Sequence, residues 1–229
     1  MSWLRLLADT ARGSLGLWQL AIWIPLIAVI PEFLQHIAEV KLGMFESREA
    51  FRALAAAPER MAWGYLKVGG LVAAWLVTAW FWFRREGARP DWGKVGVAVA
   101  INVAATMVML LLDRTLPKAT AQLAGIVLSI ATLPLLAYLM GALAGDAGMT
   151  LRRSFTAGWL NALRMIVLTA AGFVVLQWLH GLNHKLALGQ PDGLVWALMV
   201  WDSLIVGLMA TWLGTAMHRG YRGVVFAKR

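Results

Sequence analysis

The run Gly193-Leu-Val-Trp-Ala-Leu-Met-Val-Trp-Asp-Ser-Leu-Ile-Val-Gly-Leu-Met-Ala-Thr-Trp-Leu-Gly-Thr-Ala-Met217 contains a single ionisable side chain, Asp202. A helix crossing a hydrocarbon core about 30 Å thick needs ~20 mostly apolar residues, and this run is long enough. Five further runs of the same kind precede it: Ser14 to Ile30, Met61 to Phe83, Trp92 to Leu112, Ala119 to Leu143 and Ala162 to Leu179. The pattern predicts an all-α integral membrane bundle of six transmembrane helices arranged as three hairpins, one transmembrane domain over residues 1–229. The first run is short and carries Pro25, where a kink is expected. It either stops at Pro31 or continues past it.

Composition agrees. The chain has 229 residues, 60% hydrophobic and 14% charged, with mean hydropathy +0.68, whereas a soluble domain has roughly a quarter charged residues. Too few polar residues remain to cover the apolar runs, so that surface must face lipid. Many of the thirteen tryptophans fall near the ends of the runs, among them Trp63, Trp80, Trp92, Trp159 and Trp178, as in an interfacial aromatic belt. The absence of cysteine excludes disulfides, thiolate nucleophiles and Cys-based metal sites. Pro31-Glu32 and a polar segment follow the first run in place of a small-residue cleavage pattern, so that run is kept as a span.

The formal charge of +9 would suggest nucleic acid in a soluble protein, but here Lys and Arg lie between apolar runs. Thirteen fall on one side of the six spans, Lys228 and Arg229 included, and seven on the other; Lys67 lies within a span. The richer side is cytoplasmic by the positive-inside rule, which puts both termini inside and leaves no call for nucleic acid. Residues 31–60 then form an outer, periplasmic loop. Within it Ser47 can cap a short helix of strong helix formers that ends before Pro58. On the inside, residues 149–164 place Leu151, Phe155 and Trp159 on one face with Arg152 and Arg153 beside it. That is the pattern of an amphipathic interfacial helix in contact with anionic lipid; a shorter basic lead-in around Arg5 and Arg12 precedes the first span.

The layout of six spans, the basic lead-in and the segment Leu151-Arg-Arg-Ser154 through Trp159-Leu-Asn161 resemble bacterial inner-membrane proteins of the YciC-like group and the membrane domains attached to some glycerophosphodiester phosphodiesterases. The 31–60 segment lies outside the resemblance. The resemblance implies a multi-pass protein of the bacterial inner (cytoplasmic) membrane. It carries no enzymatic activity over, because no catalytic phosphodiesterase domain accompanies the spans.

Two groups of residues could carry chemistry. Glu32, His36 and Glu39 fall within about 60° of one another on a helix, and His180 and His184 are spaced i, i+4, also on the outer side. Imidazole plus carboxylate can hold zinc or a similar ion; the alternative is a set of wetted polar helix ends with no metal and no cofactor. Lys67 and Asp202 lie within spans, about 9 and 14 Å deep at 1.5 Å per residue, and similar depth suggests an intramembrane charge pair. Snorkelling of the lysine or a polar transport pathway are the other readings. Asn102, Gln177 and the rows Gly96-x3-Ala100-x3-Ala104 and Gly141-x3-Gly145 fit helix packing. No nucleophile elbow, phosphate loop or HExxH helix is present.

The expectation is a non-enzymatic membrane protein that contacts lipid or a membrane partner, a second copy of itself included, as scaffold, accessory subunit or lipid-handling protein. A small transporter or channel with a polar site at Lys67 and Asp202 is the alternative. For topology, single cysteines at Ser47 and Lys185 should react with an impermeant thiol reagent from outside intact cells, and one at Gly87 should not. Labelling at position 87 alone reverses the orientation.

Overall fold

The computed structural model describes residues 3–223; Lys228 and Arg229 of the charge count lie outside the described residues. Among these residues the chain is all helical, with no strand. The helices are α1 (Trp3–Leu20), α2 (Trp23–Lys41), α3 (Arg48–Leu54), α4 (Pro58–Arg85), α5 (Trp92–Thr115), α6 (Lys118–Thr132), α7 (Pro134–Leu143), α8 (Leu151–Ala157), α9 (Trp159–Ala187) and α10 (Asp192–Arg222). Six segments are long and apolar enough to cross a membrane: α2, α4, α5, α6 with α7, α9 and α10. Their outward side chains match: Val103, Met107 and Leu111 on α5 are all more than half exposed, as lipid contact requires.

The first span differs from the sequence expectation. Residues 14–20 belong to α1, the helix breaks at Ala21 and Ile22, and the span runs from Trp23 to Lys41. Pro25 sits in the first turn of α2, where a missing N–H costs nothing, so it opens a helix instead of kinking one. Pro31 lies inside α2. The 31–60 segment is therefore not an extended loop: its first third is span, and only residues 42–47 and 55–57 flank the short helix α3. Ser47 caps that helix, its hydroxyl accepting from Ala50 N at 3.0 Å.

The described residues form two compact units. The first comprises the described residues up to Thr78 together with Leu168–Ala216. Its core joins Ala28 of α2, Ala74 of α4, and Ile205, Val206, Met209 and Ala210 of α10, with Phe173 and Leu176 of α9 against them. The smallness of Gly70 brings α4 onto α2. A Cβ there would lie 2.7 Å from the Ile27 carbonyl oxygen and 2.9 Å from Pro31 Cγ. Pro31 has no N–H to offer the Ile27 carbonyl four residues back, and it is against this freed carbonyl that the α4 backbone packs.

The second unit is Ala79–Val167 with the described residues from Met217 on. The expected fourth span is divided at Leu133, because Pro134 starts α7. Gly141 is buried against Met149 and Tyr221, so a packing role fits it. Gly96, Ala100 and Ala104 are exposed, and a Cβ at Gly96 meets nothing within 4 Å among the described residues. That row is not a packing face within the unit. The expected 149–164 helix is two helices, since Gly158 closes α8, donating its N–H to the Arg153 and Ser154 carbonyls, and Trp159 opens α9. Thr150 caps α8, and Arg152, Arg153, Phe155 and Trp159 are all exposed.

Adjacent glycines on α4 test the α2–α4 contact. Gly70→Ala should lower thermal stability in detergent by the cost of overpacking, about 1–3 kcal/mol. Gly69→Ala, with nothing within 4 Å, should be neutral or stabilise by up to about 1 kcal/mol through helix propensity.

Candidate functional site

Glu32, Gln35, His36 and Glu39 occupy one face of α2, at the i, i+3, i+4, i+7 spacing that aligns side chains on a helix. This polar face points inward: all four are at most 3% exposed. In lipid such a face must be satisfied by protein groups, and it meets them on α4, α9 and α10 within the first unit.

His36 is the centre. Its Nδ1 is 2.9 Å from Glu39 Oε2, and its Nε2 is 3.1 Å from Asp202 Oδ2 and 3.2 Å from Glu32 Oε1. Both ring nitrogens thus face carboxylates. A neutral imidazole has one N–H, so the contact needs a second proton, on His36 or on a facing carboxyl, or a cation in its place.

The carboxylates have further partners. Glu39 accepts from Gln35 Nε2 at 3.0 Å and from Arg60 Nε at 2.9 Å. Glu32 Oε1 accepts from Lys67 Nζ at 2.9 Å. Asp202 Oδ1 accepts from Asn183 Nδ2 at 2.9 Å, while Oδ2 faces His180 Nδ1 at 2.7 Å and His184 Nε2 at 3.4 Å besides His36. Three imidazoles converge on one oxygen that has only two lone pairs. His184 is the one left out: neither of its ring nitrogens makes a hydrogen bond among the described residues, nor does Glu32 Oε2, and all three atoms are buried.

The turn after α2 places a lid of chain over this group. Gly43 adopts φ +74°, and Met44 N donates to the Glu39 carbonyl at 3.0 Å, the long bond of a Schellman cap. The chain folds back so that Phe45 and Phe51 lie against the His184 ring, with centroids 5.8 and 6.1 Å away. Beside them opens a cavity of about 630 Å³. Arg48 and Arg52 of α3, Arg60 and Lys67 of α4 and Lys185 of α9 line it, together with His180, His184 and Gln177, and no lining residue is acidic.

The structure brings together Glu32, His36, Glu39, His180 and His184, the outer polar group of the sequence; the first three are buried and the two α9 histidines partly buried at the cavity, in place of wetted helix ends. The expected Lys67–Asp202 pair is replaced. Lys67 pairs with Glu32 and Asp202 with histidines and Asn183, because both acids lie among donors from other helices that equal depth could not reveal. Gln35, Arg60 and Asn183 were missed; the positions of Asn183, three after His180, and of Gln35, four before Glu39, were the available signals. A second ionic group went unread: His218 Nε2 is 3.0 Å, and Arg222 Nε 2.8 Å, from Glu86 in the second unit. Burial pushes the Glu86 carboxyl up, yet His218 and Arg222 outweigh it and hold the group below its usual range.

No protein-family model, no curated protein and no solved structure matches the chain.

A double-mutant cycle tests the pairing. Lys67→Met strands the fully buried Glu32 and should cost about 3–5 kcal/mol. Adding Glu32→Gln should recover about 1–3 kcal/mol of that as coupling energy, measured by thermal unfolding in detergent. Additivity of the two changes would separate the residues.

Proposed function

We propose that this protein is a non-enzymatic, multi-pass protein of the bacterial inner membrane that binds the phosphate-bearing headgroup of an anionic lipid in the cavity beside α3. The single observation that carries this reading is the cavity wall, with five cations and no acid around about 630 Å³. Two of the five are engaged below, Lys67 with Glu32 and Arg60 with Glu39. Arg48, Arg52 and Lys185 have no acidic partner among the described residues, which leaves their donors for a ligand. Arginine forks match phosphate oxygens bidentately, and a cavity of one sign of charge with low-dielectric walls concentrates anions. Phe51 and Leu188 in the same wall suit the glycerol and first methylenes of a lipid.

The charge asymmetry supports an orientation with this cavity on the periplasmic side and both termini in the cytoplasm, the spans pairing as three hairpins. On the cytoplasmic side α8 is an amphipathic interfacial element. Arg152 and Arg153 reach anionic headgroups while Phe155 and Trp159 enter the acyl boundary, an arrangement favoured by their common exposure. A second copy or another membrane protein could cover the apolar face of α5, whose window is the least buried of the six spans.

Nanodiscs containing phosphatidylglycerol should raise the unfolding temperature over phosphatidylcholine alone, since a ligand that binds only the folded state stabilises it. Arg48→Ala with Arg52→Ala should abolish most of that gain. Glycerol 3-phosphate should compete if the headgroup itself is recognised. Equal stabilisation by both lipids, or an unchanged gain in the double variant, refutes the headgroup reading.

A further inference from the structure

We infer that Glu32, His36, His184 and Asp202 form a divalent transition-metal site, of zinc type, beneath the cavity floor. One donor atom from each lies within 4.8 Å of the others. Bonds of about 2.0–2.2 Å to a tetrahedral ion place neighbouring donors roughly 3.3–3.6 Å apart. Three contacts already have nearly that spacing: His36 Nε2 to Glu32 Oε1 at 3.2 Å, His36 Nε2 to Asp202 Oδ2 at 3.1 Å, and His184 Nε2 to Asp202 Oδ2 at 3.4 Å. Two imidazoles and two carboxylates suit zinc and its first-row neighbours better than magnesium or calcium, which favour all-oxygen shells.

Two further observations accompany this spacing. First, His184 Nε2 is buried with no hydrogen bond among the described residues, a costly state that coordination relieves. Second, further groups contact three of the four ligands, as outer-shell groups do around a metal centre. Glu39 accepts from His36 Nδ1, which fixes the tautomer with Nε2 free to ligate, and Arg60 and Gln35 hold Glu39 in turn. Lys67 holds Glu32, and Asn183 holds Asp202.

Charge permits an ion: Glu32, Glu39 and Asp202 outnumber Lys67 and Arg60 by one, so the group without an ion and with neutral histidines carries an excess negative charge. His184 both lines the cavity and belongs to the ligand set, which gives the ion its route of entry.

The test uses full-length protein purified without a metal-affinity tag, stripped with chelator and loaded with Zn²⁺ or Co²⁺. Elemental analysis should find one ion per chain, with a raised unfolding temperature on loading. His184→Ala and Asp202→Asn should each lose the ion, and Glu39→Gln should weaken it roughly 10- to 100-fold. His218→Ala, the other buried histidine beside an acid, should keep it. Binding well below one ion per chain, or retention by both ligand variants, overturns the site. If the variants fail to fold, wild-type protein decides: Co²⁺ must give the intense visible absorption of a four-coordinate N/O site, and a pale octahedral spectrum overturns it. Arg48→Ala with Arg52→Ala should load metal normally, so loss of headgroup binding and loss of the metal site are distinguishable.

Discussion

Three fully buried carboxylates, Glu32, Glu39 and Asp202, have to be compensated inside a chain that is 60% hydrophobic. An isolated charge in such surroundings is prohibitive, and even a paired one is retained only when geometry and hydrogen bonds are good. Two opposite charges 4 Å apart interact by about 4 kcal/mol at an effective dielectric of 20, so each misplaced partner matters on the scale of the whole fold's stability. The acids and the groups that satisfy them come from four helices: Glu32, Glu39, His36 and Gln35 on α2, Arg60 and Lys67 on α4, His180, Asn183 and His184 on α9, and Asp202 on α10. The register of the first unit follows from that requirement. Apolar packing of Ala28, Ala74 and Ala210 allows the helices to approach, but alanines and methionines would tolerate other registers.

The same group gives the cavity its character. With Lys67 and Arg60 turned toward the acids below, the remaining cations of α3 and α9 are unopposed, and the field in the opening is that of Arg48, Arg52 and Lys185. Helix α3 matters because it supplies two of these and seats Phe51 on His184. Its position depends on the Gly43 turn and the Ser47 cap, both local features of the sequence. Thus a short surface element of seven residues links the buried ionic group to whatever enters from outside.

The helical class and the six spans were legible because the hydrocarbon core imposes a length and a polarity on every segment that crosses it. That constraint acts on composition alone and needs no tertiary partner. The α3 cap was legible for a similar reason, since Ser47 and Ala50 are three residues apart. The end of the first span shows the limit of the same rule: Glu32, His36 and Glu39 are polar enough to suggest water, yet a charged face can also turn inward to partners on other helices.

Sequence by itself determined that the chain is a bundle of apolar helices, that Glu32, His36 and Glu39 share one helical face, and that His180 and His184 share another, because periodicity within a helix is fixed by backbone geometry. Only the tertiary structure decided that these two faces meet on Asp202, that Lys67 belongs to Glu32, and that five cations surround one opening. Those contacts join residues as far apart as His36 and Asp202. They depend on where Gly70 lets one backbone approach another and on which donors satisfy which acid, quantities defined only after the helices have packed.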